Sequence, residues 1–282
     1  MSETIILEVQ KLTKSYRGVP AIKDIDFDLK AGEIHSLVGE NGAGKSTLTK
    51  IVAGAVIASS GRMLYRGQEV SFASPSEALK AGIAMVFQET SLVPSMTVAQ
   101  NLYLGDEKFL NRLRGIYISA QQFLQSLNFT VDPTAIVSTL GAAKRQMVEI
   151  ARAVQHKAEV IIFDEPTATL TPEEKRHFFA LMRRLKQRGV SIIFITHALE
   201  EALAHSDRIT ILRDGEKVQS GPTASFDRDT VIRHMVGRTL SGITSVPSSR
   251  FGNESGTSRG ACLGLRPIFL LLSEEADPQP HV

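Results

Sequence analysis

The chain of 282 residues has one cysteine, no tryptophan and a formal net charge of only +2. A lone Cys262 can form neither an internal disulfide nor a cysteine metal cluster, the usage of a reducing compartment. A pI near 8.6 and the lack of any basic block argue against nucleic acid as a partner. Long apolar runs are missing as well. The longest unbroken stretches, Ile268 to Leu272 among them, run five residues. A membrane-spanning helix needs about 20. Glu3 precedes a short strand-like run instead of a basic region followed by an apolar one, so no secretory leader is expected. These absences together predict a cytoplasmic protein, held at a membrane only by a partner.

What the chain does have is an ordinary globular composition, 43% hydrophobic and 22% charged. That suits one large domain, or one domain with an appendage. Residues 4–10 and 22–30 read as strands; Ile25, Phe27 and Leu29 alternate with Asp24, Asp26 and Asp28. Ile34 to Val38 is a short apolar strand, and Ser46 to about Ala53 is helical with Gly54 as its stop. Met63–Tyr65 and Glu69–Phe72 flank the turn Arg66-Gly67, and Ile83–Phe87 is a further buried strand. Between Gln88 and Leu140 strands give way to polar helical segments, which reads as an inserted helical subdomain, about 89–155. Met147, Ile150, Ala151 and Val154 share one face of a helix over 142–155.

Val160–Phe163 is a fully apolar strand, and Thr171-Pro172-Glu173-Glu174 is a capping box opening the next helix. Val190–Thr196 is a strand followed by a helix to about His205. Ile209–Leu212 and Lys217–Val218 flank the hairpin turn Asp214-Gly215, and a last helix runs from Arg228 to Val236 with Gly237 able to close it. Strands alternating with helices predict an α/β fold: a mostly parallel sheet with helices on both faces, plus a separate antiparallel β-layer from the early strands.

One stretch carries explicit chemistry. Gly39-Glu40-Asn41-Gly42-Ala43-Gly44-Lys45-Ser46 fits the spacing of a phosphate loop between a strand and a helix. Glycines let successive N–H groups turn inward toward phosphate oxygens, and the helix N-terminus adds its positive end. Lys45 supplies a full charge to the β/γ-phosphates, Ser46 a hydroxyl to Mg²⁺, and Thr47 reaches the α-phosphate. Ile161-Ile162-Phe163-Asp164-Glu165 is an apolar strand ending in two acids. Asp164 at the tip can hold Mg²⁺, and Glu165 can polarise an attacking water. Alone, two acids merely end a strand; beside a phosphate loop they read as its second half. Gln88 and His197 each follow a strand and so fall on the ligand-binding edge of such a sheet. Gln88 can orient water or Mg²⁺, and His197 can donate to the γ-phosphate. Tyr16, just before the β-layer, is either a core aromatic or a stacking platform for adenine.

The order of these motifs resembles an ABC-type ATPase domain over about residues 4–240. The finer text is similar to ATP-binding subunits of bacterial monosaccharide importers of the ribose/galactose/xylose type, in their N-terminal ATPase half. The stretches that carry the resemblance are "MVFQETSLVPSMTVAQNLYLG" at 85–105, "QMVEIARAV" at 146–154, "DEPTATLT" at 164–171, "ITILRDGEKV" at 209–218 and "MVGR" at 235–238. The resemblance implies ATP with Mg²⁺ bound by Lys45, Ser46 and Thr47, Glu165 as catalytic base, and His197 as γ-phosphate switch. It also implies Gln88 as the hinge that senses a transmembrane partner, and Ala168-Thr169-Leu170 as the loop that communicates across a dimer.

The implied partners are membrane permease subunits, a second ATPase domain from a homodimer or another chain, and indirectly a periplasmic sugar-binding protein. The implied location is peripheral, on the cytoplasmic side of the inner membrane. One motif departs: where the family reads Leu-Ser-Gly-Gly-Gln or close to it, this chain reads Leu140-Gly141-Ala142-Ala143-Lys144. Residues 241–282 lack any strand–loop–helix logic and are expected to be an irregular tail or the trace of a frameshift that cut off a second ATPase half. A soluble, non-transport ABC ATPase and a catalytically impaired remnant are the alternative functions.

Overall fold

The computed structural model describes residues 4–87, 91–105 and 113–236. Strands β1 (Ile5–Tyr16), β2 (Val19–Lys30), β4 (Ser60–Tyr65) and β5 (Gln68–Val70) form an antiparallel sheet in the order β2-β1-β4-β5. A second sheet runs β10-β9-β3-β8-β7-β6, from β3 (Ile34–Val38), β6 (Ile83–Val86), β7 (Val160–Asp164), β8 (Ser191–Ile195), β9 (Arg208–Arg213) and β10 (Glu216–Pro222). Its strands pair in parallel except for β10, which returns antiparallel along β9. The separate β-layer and the parallel sheet are both as the alternation of elements predicts.

The first hairpin is longer than its apolar pattern suggests. Arg17 and Gly18 both take positive φ, 51° and 85°, so a two-residue turn joins β1 directly to β2. Lys11 and Asp24 also sit at positive φ, where the β1–β2 register shifts, and these irregularities interrupt the alternation that marks a strand. Tyr16 therefore lies inside the β-layer, paired with Val19 at the hairpin tip, and not ahead of it.

Helices α1 (Lys45–Val52), α2 (Pro75–Ala81), α3 (Val98–Leu102), α4 (Leu113–Ser126), α5 (Ala142–Gln155), α6 (Pro172–Gln187), α7 (Leu199–His205) and α8 (Arg228–Val236) complete the described part. Of these, α3 to α5 lie between β6 and β7 in the chain. The sequence reading has no helix at α2. Its start uses the same signal as α6, with Ser74 capping the Glu77 N–H, Pro75 at the first position, and Glu77 reaching back to the Ala73 N–H.

Two apolar cores sandwich the parallel sheet. Ile162, Ile193 and Ile195 face one side with Leu48, Ile51 and the buried residues of β1 and β2. Ile161, Phe163, Ile192 and Phe194 face the other with α3 to α6. Burial on both faces explains why β7 and β8 read as unbroken apolar runs. All the loops at the C-terminal tips of β3, β7 and β8 consequently open at one edge.

Candidate functional site

β3 ends at Val38 and the chain turns through residues 39–44 into α1. Two glycines of that turn have no substitute. A Cβ on Gly39 would lie 2.3 Å from the Leu212 carbonyl oxygen, and one on Gly44, at φ 98°, would lie 2.5 Å from Ile22. Gly44 is the N-cap of α1 and offers no side-chain cap, so the first-turn N–H groups of Lys45, Ser46 and Thr47 have neither helix nor side-chain partners. They are donors suited to an anion, and the first turn carries no acid to compete.

Lys45 is buried, and its Nζ donates to the carbonyls of Gly39 (2.8 Å) and Glu40 (3.0 Å), clamping the turn across its mouth. Burial lowers its pKa, against the opposing pull of Glu165 and Asp164. The residues from Asn41 to Thr47, with Ala21 and Glu165, line a cavity of about 440 Å³. A second cavity, about 510 Å³, shares Asn41 and Glu165 and adds Gly39, Glu40, His197 and Met235.

The tips of β7 and β8 bring the remaining groups. The Ser46 hydroxyl donates to Asp164 Oδ1 at 3.4 Å, a long contact between a hydroxyl and a buried carboxylate. Burial raises the Asp164 pKa, and the Ser46 hydrogen bond only partly offsets it. A carboxyl held above its ordinary range beside a hydroxyl is a place a divalent cation would relieve. Among the described residues no three His, Cys, Asp or Glu side chains gather as a metal cage. Such an ion would therefore take Ser46 and Asp164 together with phosphate oxygens.

Glu165 sits at φ 49°, a left-handed conformation uncommon for glutamate, and its Oε1 lies 3.4 Å from His197 Nδ1. The His197 side chain is 63% exposed and that of Glu165 only 14%, so the pair spans the boundary from sheet edge to solvent.

The loop residues Asn41–Thr47, with Asp164, Glu165 and His197, are thus brought to one edge. Tyr16 does not line either cavity; it is 47% exposed, with the Lys14 ammonium 5.2 Å from its ring centroid. It lies on the same hairpin as Ala21, which does line the phosphate-loop cavity. Gln88 lies outside the described residues, as does Gly237.

Residues the sequence reading missed also stand here. Met235, from the last turn of α8, lines the cavity beside His197, and only the tertiary fold brings it there. Thr167, Thr196, Lys175 and Glu201 form a hydrogen-bonded group behind the strand tips. Its one visible signal was a threonine near each strand-tip residue, Thr196 directly before His197 and Thr167 two residues after Glu165.

A family model described as "ABC transporter" matches residues 22–168. The "Putative ribose/galactose/methyl galactoside import ATP-binding protein 1" of Agrobacterium fabrum is 42% identical over 240 residues, covering 84% of this chain and 48% of that protein. "Ribose import ATP-binding protein RbsA 1" of Rubrobacter xylanophilus is 46% identical over 238 residues, covering 83% of this chain and 48% of the relative. The chain therefore spans about half the length of the curated relatives it matches. Among solved structures, cbiO1 from Clostridium perfringens, titled as part of the ABC transporter complex cbiONQ, is 26% identical with a TM-score of 0.69, covering 85% of this chain and 97% of that one. The ADP conformation of MJ1267, an ATP-binding cassette of an ABC transporter, gives 0.71 at 24% identity, with 83% and 99% covered. With the phosphate loop, the two acids and the histidine at one edge of that fold, the chain belongs to the ABC transporter family.

Proposed function

We propose that this chain binds and hydrolyses ATP as the energising subunit of a monosaccharide importer, docked peripherally on permease chains at the cytoplasmic face of the inner membrane. The observation that carries the reading is the meeting of the phosphate loop with Asp164, Glu165 and His197 at a single sheet edge. The sugar is suggested by the names of the relatives, ribose and galactose among them. The periplasmic sugar-binding protein acts only through the permease.

In this reading ATP lays its phosphates against the N–H groups of residues 41–47. Lys45 Nζ exchanges the Gly39 and Glu40 carbonyls for phosphate oxygens, which restores a fully charged partner to a buried ammonium. Ser46 and Asp164 would hold Mg²⁺, which would neutralise phosphate charge when bound. Glu165 accepts the proton of the attacking water, and His197 donates to the γ-phosphate. Gln88 senses the permease. Tyr16 stacks on adenine with the ring face away from Lys14, whose ammonium is also anchored to the Ile57 carbonyl at 2.7 Å. A second ATPase domain, from another copy or another chain, completes the site.

The test is ATP turnover and nucleotide binding by the full chain with its permease. Glu165→Gln should abolish turnover and retain ATP binding, whereas Lys45→Ala should lose binding. Turnover by Glu165→Gln equal to wild type would remove the assignment.

A second reading, in which this half completes its partner's site with altered efficiency, is favoured by Gly141. It caps α5 with no side-chain hydrogen bond, and a Cβ there would meet nothing within 4 Å. Gly141→Ser therefore fits, and an unchanged turnover in the assembled transporter would sink this idea.

A further inference from the structure

The β7–β8 ladder ends at the pair Asp164–Ile195, with one further backbone bond from the Glu165 N–H to the Ile195 carbonyl at 3.1 Å. Past that point Glu165 and His197 ride on two separate loops. One carboxylate joins those loops. Glu201 of α7 accepts a hydrogen bond from the Thr167 hydroxyl at 2.7 Å and, on the same Oε2, from the Thr196 hydroxyl at 3.3 Å. Its Oε1 accepts from Lys175 Nζ of α6 at 2.8 Å. The Thr196 hydroxyl in turn accepts from the Ala198 N–H at 3.0 Å. Thr167 stands two residues after Glu165, and Thr196 one residue before His197.

Both threonines are buried, and the Glu201 side chain is 12% exposed. A carboxylate this far from water is costly unless its oxygens are filled, and here Lys175 and two hydroxyls fill them. An apolar residue in its place could hold the loops against the core. It could not fix both hydroxyls on one atom, and so could not hold the two loops in one register.

We propose that Glu201 is a positioning residue for the Glu165–His197 pair: by gathering Thr167 and Thr196 on one oxygen it sets the separation of the carboxylate and the imidazole. The proposal rests on the reading that Glu165 activates water for ATP hydrolysis. A displacement of about 1 Å at such a pair lowers turnover by up to about 100-fold, while the phosphate-loop N–H groups and Lys45, to which most of the nucleotide binding is assigned, stay in place.

Steady-state ATPase rates, the Kd of a fluorescent ATP analogue and melting midpoints of the full chain test this. Glu201→Ala and Thr167→Val should lower kcat by about 10- to 100-fold, with KM and Kd within about twofold of wild type. Glu201→Gln keeps an acceptor oxygen for both hydroxyls and gives up only the Lys175 contact, since its amide NH2 then faces that ammonium, and should recover kcat to within about threefold. If Glu201→Ala fails to fold, Thr167→Val and Glu201→Gln still carry the comparison. Wild-type kcat in Thr167→Val, or a loss of kcat matched by an equal loss of nucleotide affinity, overturns the proposal. Wild-type turnover no higher than that of Glu165→Gln overturns instead the reading beneath it, and the two failures are told apart by that one control.

Discussion

Burial holds the Asp164 carboxyl above the ordinary aspartate range, so the folded, nucleotide-free chain disfavours the ionised form. A raised carboxyl pKa makes the ionised group a cost to stability at any pH above its folded value. The cost fades as the pH falls toward the unfolded value of 3.8. Asp164→Asn should therefore raise the melting midpoint of the nucleotide-free protein at pH 7, and the gain should shrink as melting is repeated toward pH 4. The same substitution should remove any increment that Mg²⁺ adds in the presence of ATP. Scanning fluorimetry across pH, with and without Mg²⁺, checks both; a lower midpoint at pH 7 would contradict the argument. The acid at the strand tip was legible in the sequence because an apolar run stopped there. Its burial was not, since that depends on the Ser46 turn folding over it.

At the scale of elements, helix ends decide how firmly the site's loops are held. The Thr171 hydroxyl accepts from the Glu174 N–H at 3.3 Å, and Glu174 accepts from the Thr171 N–H at 2.8 Å, closing the capping box of α6 just after residues 168–170. Thr171→Ala should cost about 1 kcal/mol in denaturant unfolding, with nucleotide affinity unchanged. Gly141→Ser at the start of α5 should go the other way by a few tenths of a kcal/mol, since the residue already has extended φ and ψ of −66° and 162°. The box at Thr171 was readable because every part lies within four residues. The true length of β1 and β2 was not: positive φ at Lys11 and Asp24 broke the period, and pairing with the neighbouring strand decided that both segments continue.

For the whole molecule, nucleotide binding and stability are one equilibrium. A ligand at about 100 times its Kd adds about 2.7 kcal/mol to the folded state. For a domain of this size that corresponds to a rise of about 5–10 °C in melting midpoint. Mg²⁺-ATP should produce such a shift, and Lys45→Ala should abolish it. An equal shift in Lys45→Ala would place the nucleotide elsewhere. The two cores on either face of the parallel sheet carry that stability, and the site sits at the edge of the core that includes Ala43 of the phosphate loop.

The α/β alternation, the phosphate loop and the two strand-tip acids were determined by local sequence, because hydrophobic period, turn glycines and spacing are properties of neighbours along the chain. The placement of Met235 beside His197, and of Glu201 against Thr167 and Thr196, was decided only by the tertiary structure. Glu201 is 34 residues from Thr167, and no periodicity joins them. Their contact exists because β7 and β8 are hydrogen-bonded neighbours in the sheet, and the helices that follow those strands pack back toward the same edge.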